Sequence, residues 1–217
     1  MSTPVDCDSH KVYGCRMKSQ GKPRAARSDK AEATRAAILK SARRLFAAHG
    51  YDGVGLRGIA EGAGVTAMMI GRYFGSKEGL FGEVVTDSMR DPVILSEANL
   101  AAPDIARAFA EALVGLTGKG AEPLDGFLIL FRSTASPVAA RIARERIAAA
   151  HHATAQEVVK GPHAAERAAI FLSIVAGFQM NRQMLQLDAL AEADPIVLTG
   201  LMTRVFEVII GSKDQRR

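Results

Sequence analysis

Apolar residues in this chain recur with the 3.6-residue period of amphipathic helices, and the two-residue alternation of strands is scarce. Over residues 30–49, Ile38, Ala42, Leu45, Phe46 and His49 share one face, and Gly50 is placed to cap the end. A short helix is predicted over 56–61, then a turn at Gly62-Ala63-Gly64. A second short helix follows over 66–74, with Thr66 as its cap. Ser76 is placed to cap a helix over 77–90, which ends before Asp91-Pro92. Five further helices are predicted over 104–117, 123–133, 137–152, 164–187 and 195–210. Ser136-Pro137 and Asp194-Pro195 each set a capping side chain before a proline at the first helical position. The pattern predicts an all-α protein of about nine helices.

Two short helices joined by a tight glycine-containing turn are a helix-turn-helix candidate. Ile38, Leu45, Phe46, Ile59, Val65, Ile70 and Phe74 are its expected core, with Ala60 and Gly64 allowing close helix approach. The helix over 164–187 carries Ile170, Phe171, Ile174, Phe178 and Leu185 on one broad face. The last helix is apolar on more than one side, through Ile196, Val197, Leu201, Val205, Phe206, Ile209 and Ile210. One side can pack on its own domain and another on a partner.

Charge adds a division. Residues 1–82 hold 14 Lys and Arg against 7 Asp and Glu, whereas residues 83–217 hold 14 against 16. The basic part is expected to meet a polyanion. Residues 1–29, with Arg16, Lys18, Lys22, Arg24 and Arg27 among polar and small residues, read as a disordered basic arm. The expected divisions are this arm, a DNA-binding helix-turn-helix unit over 30–82, and a further helical domain over 83–217. Met17 leaves open whether residues 1–16 precede the natural start. No apolar run reaches the roughly 20 residues of a membrane span, and no secretory signal opens the chain, so a cytoplasmic protein is expected. Cys7 and Cys15 are the two cysteines; with Asp8 and His10 they match no zinc spacing, so no metal and no cofactor is expected. An enzyme is disfavoured. There is no nucleophile elbow, phosphate loop, dinucleotide fingerprint or metal-spaced His/Glu pair, and Glu145, Glu157 and Glu166 form no readable acid/base pair.

The residues 30–90 resemble the tetracycline-repressor (TetR) family. The match runs from Ala37-Ile38-Leu39 through Ala42, Leu45-Phe46 and Gly50-Tyr51, then Arg57, Ile59-Ala60, Ala63-Gly64-Val65 and Thr66. It ends with Ile70, Tyr73-Phe74 and Ser76-Lys77-Glu78-Gly79-Leu80. More loosely, the segment from Phe131-Arg132-Ser133 to Pro137 looks like the regulatory domain of one subgroup. The resemblance implies a regulator, with repression the favoured effect, bound as a homodimer to a pseudo-palindromic operator in double-stranded DNA and released by a small-molecule effector. It implies that the third helix enters the major groove. Thr66, Ala67, Met68 and Arg72 would lie near bases or phosphates, and Arg57, Tyr73 and Lys77 would hold the DNA backbone. Gly71 stands where the family usually has an aromatic residue on phosphate, and Gly55 and Gly58 replace a capping Thr and an acidic residue. The base-facing Ala67, Met68 and Met69 make no bidentate base contacts, so thymine methyls and groove shape carry more of the specificity.

By the same resemblance, the last two helices form a four-helix dimer interface, with Phe171, Ile174, Phe178, Leu201 and Val205 as candidates. A ligand pocket is implied between the middle helices and the long one. Phe109, Leu113, Phe127, Phe131 and Met180 are candidate lining or plain core. Asn181 is open to ligand binding or to pairing across the dimer. His151 and His152 are open to ligand or pH contact, or to complementing a helix end. An architectural DNA binder that senses nothing is the alternative function. Deleting residues 1–27 is expected to lower DNA affinity more than the ratio of specific to non-specific binding. Titrations on operator and scrambled duplexes at two salt concentrations measure this, and unchanged affinity would reduce the arm to a tail.

Overall fold

In a computed structural model, residues 24–211 are described, with their side chains from Ser28 to Gly211. Every regular element among them is helical. The order is α1 (Arg24–His49), α2 (Leu56–Gly62), α3 (Ala67–Phe74), α4 (Lys77–Ser88), α5 (Glu97–Leu100) and α6 (Ile105–Leu116). Then come α7 (Asp125–Ser133), α8 (Pro137–Ile147), α9 (Ala153–Val158), α10 (Ala164–Gln179), α11 (Asp188–Ala191) and α12 (Pro195–Ile210). A π-helical turn, Ala148–His152, joins α8 to α9 as one rod, and another, Met180–Met184, extends α10. The expected helices are all present; the single turns α5 and α11 are additions. α1 begins at Arg24, ahead of the start expected at Lys30, because Arg24, Ala25, Ala26 and Arg27 are strong helix formers. The rest of the expected arm lies outside the described residues.

Two cores organise the chain. In the first, Ile38, Phe46, Ile59 and Ile70 are fully buried, while Leu45, Val65 and Phe74 are half-buried at its edge. Phe81 meets Phe46 and Tyr51 edge-on, with centroids 5.2 and 5.0 Å apart. This core does not close within α1–α4. It takes in Ile129 of α7 and Ala139 and Ile142 of α8. The boundary expected between residues 82 and 83 falls inside α4, where Phe81, Val84 and Val85 share that core. The second core gathers Phe109 and Leu113 of α6, Phe171 and Phe178 of α10, and Phe206 of α12.

Of the four expected side-chain N-caps, two form and two do not. Ser76 accepts from the Gly79 amide at 3.1 Å, and Asp194 accepts from the Ile196 amide at 2.8 Å. Thr66 has the extended backbone of a cap but makes no capping hydrogen bond. Ser136 also fails to cap α8: its hydroxyl donates to Asp52, 3.1 Å away, and no amide of α8 donates to it. The turn between α2 and α3 needs Gly64 for its backbone, at φ +66°, and not for close packing. The close approach is at Gly62, whose missing Cβ would press on the Ser41 hydroxyl.

Arg182 is 5% exposed in the second π-turn. Its guanidinium donates to the Val114 carbonyl (2.8 Å), the Thr117 hydroxyl (3.0 Å) and the Leu190 carbonyl (3.1 Å). Burial pushes its pKa down, yet the carbonyl end of α6 is a favourable place for a cation. The residue ties α6, α10 and α11 together.

A Cβ at Gly58 or Gly71 would meet nothing within 4 Å, and neither residue has positive φ. Gly58→Ala and Gly71→Ala are each expected to raise stability by roughly 0.5–1 kcal/mol, since a helical glycine costs backbone entropy without return. Denaturant midpoints at unchanged slope measure this; a lower midpoint would contradict it.

Candidate nucleic-acid interface and internal cavity

α3 is two-faced. Ile70 anchors its inner side with no exposure, and Tyr73 and Phe74 are half-buried. Thr66, Met68, Gly71 and Arg72 are exposed, Met68 by 85%. Ala67 and Met69 are half-buried, so Met68 alone of the expected base-facing trio is fully presented. The reason is helical phase: Ala67 stands three residues before Ile70 and leans into the same core. Arg57 is exposed on α2. Lys77 opens α4, half-buried, with its ammonium 4.2 Å from the centre of the Tyr51 ring. Burial first, then the charges of Glu78 and Asp52, push the Tyr51 pKa up and keep its phenol neutral. Lys77 stands at the N-terminal end of α4, where the helix dipole favours phosphate.

The corner between α7 and α8 grips this unit. Arg132 donates to the carbonyls of Ala47 and Ala48 at the end of α1. The Tyr51 amide donates to the Ser133 hydroxyl at 3.0 Å, and the Ser136 hydroxyl donates to Asp52. Gly50 sits at φ +67°, and a Cβ there would collide with the Arg132 carbonyl. Surface ion pairs, Arg43 with Asp125 (3.1 Å) and Asp87 (3.5 Å), add little.

Between the two cores lies a cavity of about 200 Å³. Met89, Leu130, Phe127, Phe171, Leu172 and Val175 supply apolar wall. Its polar side chains include His151 and Gln179. Of the expected lining, Phe127 and His151 are there. Phe109 and Leu113 are behind it in the second core. Phe131 is 39% exposed and stacks on Phe127, with centroids 5.9 Å apart. Met180 and Asn181 are half-buried away from the cavity, and the Asn181 amide donates to the Gly177 carbonyl of its own helix at 2.7 Å. His152 meets the Ala165 carbonyl at 2.9 Å, linking the α8–α9 rod to α10. Gln179 was the polar residue to find. It follows Phe171 and Val175 at i, i+4 and i+8, on a stripe where an amide is out of place.

The interface candidates divide. Phe171 and Phe178 point into the second core, 2% and 9% exposed, because that face of α10 meets α6 and α12. Ile174 is half-buried. On α12, Leu201 and Val205 are 46% and 38% exposed and continue a stripe with Val197 and Val208. Ile170 of α10 is also open to solvent. Among the described residues no group of His, Cys, Asp and Glu could hold a metal ion, and no helix is long and apolar enough to cross a membrane. Cys7, Asp8, His10 and Cys15 lie outside them.

Comparison with known proteins matches residues 38–84 to "Bacterial regulatory proteins, tetR family" and residues 103–210 to "Tetracyclin repressor-like, C-terminal domain". The transcriptional repressor AcnR of Corynebacterium glutamicum is 40% identical over 76 residues, 35% of this chain and 40% of that protein. The transcriptional regulatory protein RaaS of Mycobacterium tuberculosis is 56% identical over 45 residues, 21% of each chain. The chain thus matches less than half the length of these relatives. A TetR-family regulator from Streptomyces coelicolor superposes with TM-score 0.55 at 23% identity, over 83% of this chain and 96% of that one. That likeness speaks to the fold.

Burial pushes the His151 pKa below its ordinary value. The unfolded chain then binds a proton that the folded one refuses, so His151 lowers stability as pH falls from the ordinary histidine value toward the depressed one. Above that window it contributes no pH dependence. NMR titration of its ring protons is expected to give a midpoint below that of an unstructured histidine; one at or above it would contradict the burial argument.

Proposed function

Since this chain belongs to the TetR family of bacterial regulatory proteins, we propose that it is a cytoplasmic transcriptional repressor, dimeric on a pseudo-palindromic operator and released by a small molecule. The family is one of regulators and not of enzymes. The observation that carries the reading is the outer face of α3, with Thr66, Met68, Gly71 and Arg72 exposed between Arg57 and the Lys77 end of α4. Arg57, Tyr73 and Lys77 are read as phosphate contacts, which set register. Thr66, with its hydroxyl free of capping, and Met68, reaching for thymine methyls, are read as base contacts, with Ala67 at the margin. DNA binding is assigned to α1–α4, and effector binding and dimerisation to the helices after it.

A second copy of the chain is the proposed occupant of the α12 stripe. Val197, Leu201, Val205 and Val208 recur at helical spacing on the face beside that of the buried Leu198, Met202, Phe206 and Ile209. Ile170 on α10 is a further exposed apolar residue. An isologous pairing of this kind would set two α3 helices on one face of DNA. The cavity favours a sensor over a purely architectural binder, because an architectural protein has no use for an apolar cavity between its two cores.

Selection of bound fragments from genomic DNA by the purified protein tests this reading, with a two-fold symmetric consensus expected. Lys77→Ala is expected to weaken all sequences alike and to flatten the slope of log affinity against log salt by roughly one. Leu201→Glu, at a site open in the subunit, is expected to leave helical content intact and give a monomeric mass by sedimentation. A monomeric wild type, or an asymmetric consensus, would contradict the proposal.

A further inference from the structure

The cavity wall is almost entirely apolar, so its few polar atoms define what it can hold. Gln179 is 6% exposed. Its Nε2 donates to the Val175 carbonyl at 3.4 Å, which fixes the amide's orientation, since turning it over would set two oxygens against each other. Oε1 is then buried with no hydrogen-bond partner among the described residues. A buried acceptor left unpaired bears its full desolvation cost, and native proteins rarely leave one so. The second polar group, His151, is held neutral by burial, so one ring nitrogen donates and the other accepts. Both stand at irregular helix: His151 within one π-turn, Gln179 immediately before the other. Such turns concentrate at functional sites.

Charge narrows the ligand further. No Lys or Arg lines the cavity, and its one ionised lining residue is the exposed Asp91. A carboxylate or phosphate would surrender its hydration here with no cation to receive it. The volume, about 200 Å³, is below the roughly 300–1,000 Å³ of drug-sized sites, which limits the ligand to one or two rings. Phe127 and Phe171 on the wall give an aromatic system apolar, aromatic neighbours.

We propose that this cavity takes an uncharged, one- or two-ring molecule bearing an O–H or N–H donor, which Gln179 Oε1 accepts once a shift of its side chain opens it to the cavity, while His151 meets a second polar atom where the ligand has one. The proposal rests on the reading of the cavity as the effector site.

The test uses 2-naphthol, 2-methoxynaphthalene and 2-naphthoate, which share a scaffold and differ in donor and charge. Calorimetric titration of the full chain at neutral pH is expected to show 2-naphthol binding roughly tenfold tighter than its methyl ether, the worth of one buried hydrogen bond. 2-Naphthoate is expected not to bind. Gln179→Met is expected to melt no lower than wild type and to abolish the difference between naphthol and ether while retaining both; Gln179→Leu repeats the test with another apolar shape. Equal binding of naphthol and ether by wild type, binding of the naphthoate, or no binding of any of the three overturns the proposal. Release of selected operator DNA is measured in parallel. Naphthol binding without release would sink the regulatory reading and leave the ligand class standing. Release driven by the naphthoate would do the reverse.

Discussion

The last carbonyls of α1 are capped from eighty residues away in sequence, and the placement of the DNA-reading unit depends on that contact. Arg132 donates to Ala47 and Ala48, Ser133 accepts from the Tyr51 amide, and Ser136 donates to Asp52. Gly50 lets the α7–α8 corner approach this closely, because any side chain there would meet the Arg132 backbone. Orphan carbonyls at a helix end need a partner. Here that need is met by a different part of the chain, so the start of α2 is positioned by α7. The aromatic group of Phe46, Tyr51 and Phe81 reinforces the joint from inside.

This joint and the cavity share an element. α7 contributes Phe127 and Leu130 to the cavity wall and ends in the residues that grip α1. α4 does likewise from the other direction: Met89, just past its end, lines the cavity, while Lys77 at its start stands beside the exposed face of α3. The first core runs without a break from Ile38 to Ile142. Close-packed interiors transmit displacement rather than absorb it. A molecule wedged against Phe127 and Met89 would therefore press on both supports of the reading unit.

Much of the fold was legible because it is local. Ile38, Phe46, Ile59 and Ile70 recur at helical spacing, and all four are fully buried. Ser76 and Asp194 cap their helices because their partners are two or three residues away. The motif from Ala37 to Leu80 identified the family in advance of any structure. The errors are equally physical. Thr66 and Ser136 occupy capping positions without capping, and Ser136 instead donates its hydroxyl to Asp52 across the joint.

The sequence by itself determined the helices, the reading motif and the family, since each is written in residues close together along the chain. Tertiary structure decided which apolar stripe faces what. Phe171 and Phe178 have the spacing of an interface yet lie in the second core, while Val197, Leu201, Val205 and Val208 remain open. A helix with two apolar faces does not declare which one its own subunit covers; that depends on where α6 lies. The same holds for the cavity. Gln179, Phe127 and Met89 come from three separate parts of the chain, and only their packing leaves an acceptor stranded among hydrocarbon.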